Sequence, residues 1–361
     1  MKVFYLVLIS TFIISLIARI VEDRKKRPNL FFSLIVIAII ALVAGLRWGI
    51  GDTGDYVHLY GLIGPDYKIF NSGYEPGFIL FLMLLKSITK EPQFLILVTS
   101  LIINILNIWT IRKYSKDSYF ELAVFMYIAS GYYLVTMNGM RQCLAVSAMF
   151  AATELIIRGK FKRYLILSLF MAMIHNSALI MIPMYFVVRQ EAWSKNIYRL
   201  LILFIIGLAF YEPLMQLVFT LLGDSKYAGY SSFNEGGANV LRVIVHGVPI
   251  FLAYIKRDIL KEKLENGNVL VNMCLINFMI MGFSLFNWIF ARFALYTQLY
   301  SFILLPYIIK HCFPNSKEKR LVYFGFIICF FIFFIYEYQI SMHISYQSKI
   351  DLSNLFYIIG Q

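Results

Sequence analysis

Charged side chains are scarce in this 361-residue sequence. Asp, Glu, Lys and Arg make up 15% of it, against about 25% in an ordinary soluble domain. Hydrophobic residues make up 60%, and the mean hydropathy is +0.73. One soluble core cannot hold so much apolar surface, and a chain this apolar does not stay disordered in water. The composition therefore predicts an all-α polytopic membrane protein, with residues 1–361 forming a single integral membrane domain.

The sequence also has none of the usual signatures of metal or nucleotide sites. Its cysteines are few and widely spaced, with no CxxC or Cys/His cluster, so neither a zinc site nor a disulfide framework is expected. No Gly-rich nucleotide loop, nucleophile elbow or HExxH motif occurs. We therefore expect no metal and no cofactor.

Twelve apolar stretches dominate the chain, and most have the roughly 20 residues that a helix needs to cross a bilayer. They lie at about 3–21, 29–46, 93–111, 119–137, 140–157, 163–175, 177–188, 199–221, 239–255, 268–288, 290–309 and 321–338. A further apolar stretch at about 75–89 is either a thirteenth span or a helix that lies along the membrane surface.

The distribution of positive charge decides between these two alternatives. If 75–89 does not cross, 23 of the 33 Lys and Arg residues lie on the face of segment 22–28 and 10 on the other; if it crosses, the split is 12 against 21. Lys and Arg concentrate in cytoplasmic loops. We therefore predict an interfacial or re-entrant helix at 75–89 in a multi-pass cell-membrane protein with both termini outside. The net charge of +13 then marks cytoplasmic loops, and no nucleic-acid partner is expected.

Two outer loops, 47–92 and 222–238, are the largest non-helical pieces. The second is rich in Gly, Ser and Tyr, which suits either a polar cover over a site or a solvated loop.

Three arginines, Arg47, Arg141 and Arg292, are predicted to lie at a similar depth near the outer membrane surface. Guanidinium groups bind phosphate bidentately, so three of them could hold a lipid diphosphate. Interfacial snorkelling or helix-end hydrogen bonding is the alternative.

A carboxylate motif follows Arg47. Asp52, Tyr56 and Tyr60 are spaced by four and share one face of a helix, and Asp55 lies on a neighbouring face. A carboxylate at an apolar boundary can have a raised pKa and act as a general base toward a sugar hydroxyl, with tyrosines beside it binding the sugar. The alternative is an Asp that caps the start of an interfacial helix.

Two further polar residues fall at predicted turns on the same side. His175 lies at an apolar turn and is either a structural group or a catalytic one. Glu75 precedes Pro76 at the predicted start of the interfacial helix, where it would favour the helix dipole or meet an outer arginine.

The whole pattern resembles the EpsG family of bacterial exopolysaccharide membrane proteins, which is related to Wzy-type polysaccharide polymerases. The matching pieces are GLRWGIGDTGDYVHLY at 45–60, YEPGF at 74–78, NGMRQ at 138–142, FKRYLIL at 161–167, HNSALIMIPMYFVVR at 175–189 and IFARFALY at 289–296. The family's Asp is followed by Tyr four and eight residues later, which Asp52 satisfies. Asp55, the second Asp of the Asp-Thr-Gly-Asp segment, remains an alternative candidate for the family's Asp.

The resemblance implies a function and a set of site residues. The expected protein joins polyprenyl-diphosphate-linked oligosaccharide repeats on the outer leaflet of a bacterial plasma membrane, extending an exopolysaccharide for biofilm matrix. Asp52 or Asp55 and His175 would be catalytic. The substrate-binding residues would be Arg47, Tyr56, Tyr60, Glu75, Arg141, Gln142 and Arg292. The outer loop also resembles the first loop of the GT-C glycosyltransferases, which implies a GT-C-like fold.

Two other functions remain open at this point. A lipid-linked oligosaccharide transporter would need a polar path through the membrane, and a noncatalytic scaffold would need no reactive group. The expected partners are the lipid-linked oligosaccharide, the growing polysaccharide, membrane lipids and other exopolysaccharide assembly proteins.

Overall fold

A computed structural model describes residues 1–64, 66–71, 73–222 and 236–348. Within these residues the chain is almost entirely helical, which confirms the all-α prediction. Two short strands, β1 (Arg47–Trp48) and β2 (Gln347–Ser348), pair antiparallel and join the loop after the second helix to a segment near the C-terminus. Most of the predicted outer loop 222–238 lies outside the described residues.

Nineteen α-helices follow one another in the described ranges. The first ten are α1 (Lys2–Ile20), α2 (Leu30–Gly45), α3 (Thr53–Leu62), α4 (Pro76–Ile88), α5 (Gln93–Tyr114), α6 (Phe120–Ala129), α7 (Tyr132–Asn138), α8 (Met140–Ala151), α9 (Thr153–Ile157) and α10 (Phe161–Ala172). The remainder are α11 (Met181–Val188), α12 (Lys195–Ala209), α13 (Tyr211–Leu222), α14 (Val240–Ile255), α15 (Arg257–Lys263), α16 (Gly267–Phe283), α17 (Ile289–Gln298), α18 (Ser301–His311) and α19 (Ser316–Ile335). Short 3-10 helices occur at Ile69–Asn71 and Asn176–Ile180, and a π-helical segment, Tyr336–Ser341, continues α19.

Local sequence explains where several of these helices begin. Asn29, Asn239 and Asn315 each precede a helix, and each side-chain oxygen accepts a hydrogen bond from a backbone N–H of the first turn. Such a cap satisfies a donor that the helix itself leaves unpaired. The predicted helix at about 75–89 is present as α4, which starts at Pro76 as expected from the fixed φ of proline.

The predicted spans are less regular than the apolar stretches suggest. In the described chain, α1, α5 and α19 with its π-helical continuation are long and apolar enough to cross a membrane, and up to six spans result if each bent helix pair counts as one. The pairs α6/α7, α12/α13 and α17/α18 bend by 53°, 92° and 51°. A left-handed glycine, Gly131 with φ of 80°, lies at the first of these breaks. The count of twelve spans and the GT-C-like arrangement stay predictions.

Buried polar side chains connect the helices. The Tyr133 hydroxyl donates to the carbonyl oxygen of Ile40 at 2.7 Å, and the Tyr338 hydroxyl donates to that of Ile128 at 3.0 Å. Glu121 is fully buried and accepts from the Arg19 guanidinium at 2.7 Å. Hydrogen bonds of this kind hold helices together where neighbouring lipid is as apolar as the side chains.

Helix α4 is docked to the bundle through a glycine. A Cβ atom added at Gly77 would lie 2.7 Å from both the Cβ atom and the carbonyl oxygen of Met173, and the backbone N–H of Phe78 donates to that same carbonyl at 3.1 Å. Phe78 and Leu82 are buried on one side of α4, and Leu84 on the other side is 63% accessible. The helix therefore packs on the bundle through one side, and its other side exposes apolar residues.

Replacing Gly77 with alanine tests this docking. Because the added methyl group would overlap the backbone of the residue 173 turn, we expect Gly77→Ala to lower stability by about 1–3 kcal/mol, as overpacking does. The measurement is the melting temperature of the detergent-purified protein. Gly61→Ala is the matched control, since an added Cβ there meets nothing within 4 Å. Equal melting temperatures for the two variants would contradict the proposed close contact.

Candidate functional site

A cavity of about 280 Å³ lies where the loop before α3, the start of α8, the His175 turn, α14, α17 and the π-helical segment meet. Its wall includes six of the residues that the sequence singled out: Asp52, Tyr56, Arg141, Gln142, His175 and Arg292. These residues come from four distant parts of the chain. The fold therefore brings a carboxylate, an imidazole and two guanidinium groups to one opening, and their functional roles stay predictions.

The position of Asp52 is set by the loop that precedes it. Gly51 has φ of 54°, in the left-handed region, and a Cβ atom there would lie 2.2 Å from the Asn138 side-chain oxygen. That oxygen accepts a hydrogen bond from the backbone N–H of Asp52 at 2.9 Å. Asp52 occupies the position before α3, yet its side chain makes no capping hydrogen bond in the described structure. Its carboxylate is therefore available to the cavity.

The electrostatic surroundings of Asp52 are mixed. Its side chain remains accessible, but the nearby protein removes part of the surrounding water, and this desolvation raises the pKa of the carboxyl group. The positive charges of Arg292 and Arg141 oppose that shift, while Asp55 adds to it. Desolvation also raises the pKa of Tyr56, which keeps its hydroxyl group protonated as a hydrogen-bond donor.

Arg141 is held in place from several sides. Its Nη1 atom donates to Glu75, and its Nε atom donates to the Tyr56 hydroxyl at 3.5 Å. The guanidinium also lies 4.7 Å from the ring centre of Tyr74 and 5.6 Å from that of Phe78. Contacts with a carboxylate and aromatic faces fix the plane of the guanidinium. Glu75 thus meets Arg141, one of its two predicted roles, and holds this guanidinium without lining the cavity itself.

A chain of hydrogen bonds positions His175. Gln142 donates to the Ser177 hydroxyl at 3.4 Å and to the carbonyl oxygen of Arg292 at 2.8 Å. The Ser177 hydroxyl lies 2.6 Å from His175 Nδ1 and 3.0 Å from the Tyr296 hydroxyl, and the Ser177 backbone N–H also points to Nδ1. Because Nδ1 accepts from that N–H, the proton of the neutral ring is on Nε2. This tautomer suits His175 to hydrogen-bond donation.

Arg292 differs from Arg141 in its partners. Its guanidinium carbon lies 4.3 Å from the ring centre of Trp288. Across the described ranges, no carboxylate oxygen lies within 4 Å of its guanidinium nitrogens, whereas Arg141 has Glu75. Stacking fixes the orientation of a guanidinium but leaves its N–H groups able to bind an anion.

The cavity also contains a charged pair that the sequence analysis did not single out. Arg242 donates through Nε and Nη2 to the two carboxylate oxygens of Glu337, at 2.8 and 2.7 Å, and both residues line the cavity. Glu337 is 2% accessible and lies in the π-helical segment. The sequence did contain a signal for this pair: Arg242 and Glu337 lie at the predicted outer ends of the spans 239–255 and 321–338. Such charges are costly in a membrane and usually paired.

Four other candidates do not line the cavity. Asp55 is exposed on α3. Glu75 acts through Arg141. The Tyr60 side chain is buried, with its hydroxyl donating to the carbonyl oxygen of Thr89 at 2.8 Å. Arg47 is fully buried and donates to the carbonyl oxygens of Ala44 and Met137 and to the Ser100 hydroxyl.

Comparison with known protein families gives a match. The model of the EpsG family matches residues 30–348 and so covers most of the chain. The chain belongs to the EpsG family. The family prediction is therefore confirmed, and the protein is a membrane protein related to exopolysaccharide biosynthesis. Neither the curated proteins nor the solved structures gave a match.

Arg47 in this EpsG-family protein is expected to act on stability. Arg47→Met removes hydrogen bonds from a charged donor, each of which contributes about 1.5–3 kcal/mol, and leaves carbonyl acceptors unpaired. We expect a melting temperature at least several degrees below that of the native protein, with reduced membrane abundance. Arg292→Met is the control, because its guanidinium faces the cavity, and it should melt near the native temperature. A fully stable Arg47→Met protein would contradict the structural role.

Proposed function

We propose that this EpsG-family protein is a polysaccharide polymerase of the outer leaflet. It joins polyprenyl-diphosphate-linked oligosaccharide repeats into an exopolysaccharide that supports a biofilm matrix. The observation that carries the proposal is the shared cavity, in which the Asp52 carboxylate, without a capping bond, faces the guanidinium groups of Arg141 and Arg292. A glycosyl transfer from a diphosphate needs both a base and a group that stabilises the departing negative charge.

The proposal assigns a role to each part of the cavity. The Asp52 carboxylate takes the proton of the acceptor hydroxyl while that oxygen attacks the anomeric carbon of the donor sugar. The new glycosidic bond forms as the bond between the anomeric carbon and the diphosphate oxygen breaks. The electron pair leaves on the lipid diphosphate, where Arg292 and Arg141 stabilise the charge. His175, held by Ser177, donates to a substrate oxygen.

The membrane topology belongs to the same proposal. Twelve spans with α4 along the outer face, a GT-C-like arrangement and both termini outside would open the cavity to the outer leaflet. Arg19, Lys310 and the ion pairs they form with Glu121 and Asp117 would then lie on the cytoplasmic side. That placement follows the concentration of positive charge in cytoplasmic loops.

Substitution of the two loop carboxylates tests the reaction. Asp52→Asn keeps the shape of the side chain but removes the base, so we expect chain extension by the purified protein to fall by about 10²–10⁴-fold on lipid-linked repeat units. Asp55→Asn is the matched control and should retain most activity. Chain extension in detergent, where no compartments exist, also distinguishes a polymerase from a transporter. Full extension by Asp52→Asn would transfer the role to Asp55, and full extension by the double variant would refute the mechanism.

The pH dependence of extension provides a second test. Only the ionised Asp52 can accept a proton, so activity rises with pH through the raised pKa of this group. Because the positive charge of Arg292 lowers that pKa, Arg292→Gln should move the acidic limb of the rate profile to higher pH as well as slow the reaction. Arg320→Gln, at an exposed position on α19, should leave the limb unchanged. A limb that does not move in Arg292→Gln would show that Asp52 is not the titrating base.

A further inference from the structure

A second cavity lies beside the polar one and is almost wholly apolar. It is a groove of about 430 Å³ between α14 and α19, which both pack on α18. Val245, Val248 and Leu252 line it from α14, and Phe326, Phe330 and Phe333 line it from α19. The side chain of Phe333 also lines the polar cavity. Phe333 therefore belongs to the walls of both spaces.

The groove and the polar cavity are arranged along the same two helices. On α14, Arg242 lies near the start of the helix and lines the polar cavity. Val245 and Leu252 follow on the same side of the helix and line the groove. On α19, the series Val322, Phe326, Phe330 and Phe333 leads at intervals of three and four residues to Glu337. The α19 series extends about 16 Å at 1.5 Å per residue. The path is thus apolar along its length and charged at one end.

We propose that this groove holds the hydrocarbon chain of the lipid diphosphate whose head enters the polar cavity. The inference rests on the proposed function and adds where the lipid lies. An occupant must match an apolar channel that ends at guanidinium groups, which favours a long-chain lipid with a compact, strongly anionic head. Arg242, already oriented by Glu337, stands where the chain of such a lipid joins its first phosphate.

The groove offers two positions at which it can be filled without disturbing the fold. An added Cβ atom at Gly325 meets nothing within 4 Å, and leucine favours a helix more than glycine does. Cys329 lines the groove one turn further on and is exposed. Its neighbour Ile328 is 59% accessible but does not line the groove. Gly325→Leu and Cys329→Trp therefore fill the groove, and Ile328→Trp is the matched control.

The test uses a polyisoprenyl diphosphate that carries a diazirine in its chain. We expect photo-crosslinks to peptides of α14 and α19, reduced at least fivefold in Gly325→Leu and Cys329→Trp and unchanged in Ile328→Trp, at equal melting temperatures. Unlabelled polyisoprenyl diphosphate should compete. Competition by excess phosphatidylglycerol to the same extent would mean that the groove takes bulk lipid, and crosslinks spread over other helices would mean that the chain lies elsewhere. Either result overturns the inference.

Chain extension separates this inference from the proposed function. Crosslinks in the groove of a protein that extends no polymer would support the lipid site and refute the polymerase. Undiminished extension by both groove-filled variants would support the polymerase and refute the groove as the site of the lipid chain.

Discussion

The part of the protein around the cavity depends on one buried guanidinium group. Arg47 is fully inaccessible, and an unpaired charge in an apolar interior is expensive. Its donors reach the carbonyl oxygens of Ala44 and Met137, at the C-terminal ends of α2 and α7, and the Ser100 hydroxyl on α5. Helix C-termini have carbonyl groups without intrahelical partners and a partial negative charge. Arg47 therefore donates hydrogen bonds to these groups and fixes the relative positions of α2, α5 and α7. The loop to Asp52 starts at the end of α2.

The cavity wall is then assembled by contacts that hold loops against the bundle. Asn138, at the end of α7, binds the backbone of Asp52 across Gly51, whose missing side chain makes room for the contact. Glu75, at the start of α4, holds Arg141 at the start of α8. The same carboxylate accepts from the backbone N–H of Asn176 at 3.2 Å, next to His175. The geometry of the site thus depends on loop-to-helix hydrogen bonds as well as on the packing of the helices.

The sequence predicted which polar residues meet at the cavity better than it predicted their hydrogen-bond partners. Asp52, Arg141, His175 and Arg292 could be selected because polar groups at one predicted membrane boundary are rare enough to stand out. Arg47 met the same criterion and was selected with them. Its burial, however, depends on how α2, α5 and α7 cross, and the local sequence does not determine that crossing. The breaks in the apolar stretches were missed for a similar reason, since hydropathy reports burial in lipid and not the continuity of helical hydrogen bonding. The pairing of Arg242 with Glu337, far apart in the chain, likewise required the tertiary fold.

The charges around the cavity also suggest how donor binding and acceptor activation are coupled under the proposed function. Arg141 and Arg242 each have a carboxylate partner, while Arg292 has no carboxylate within 4 Å among the described residues and acts on Asp52 through space. An entering diphosphate would draw the charge of Arg292 to itself and add negative charge beside Asp52. Both effects raise the pKa of the Asp52 carboxyl group. The carboxylate would therefore become a stronger base when the donor is in place, which ties removal of the acceptor proton to the presence of a leaving group.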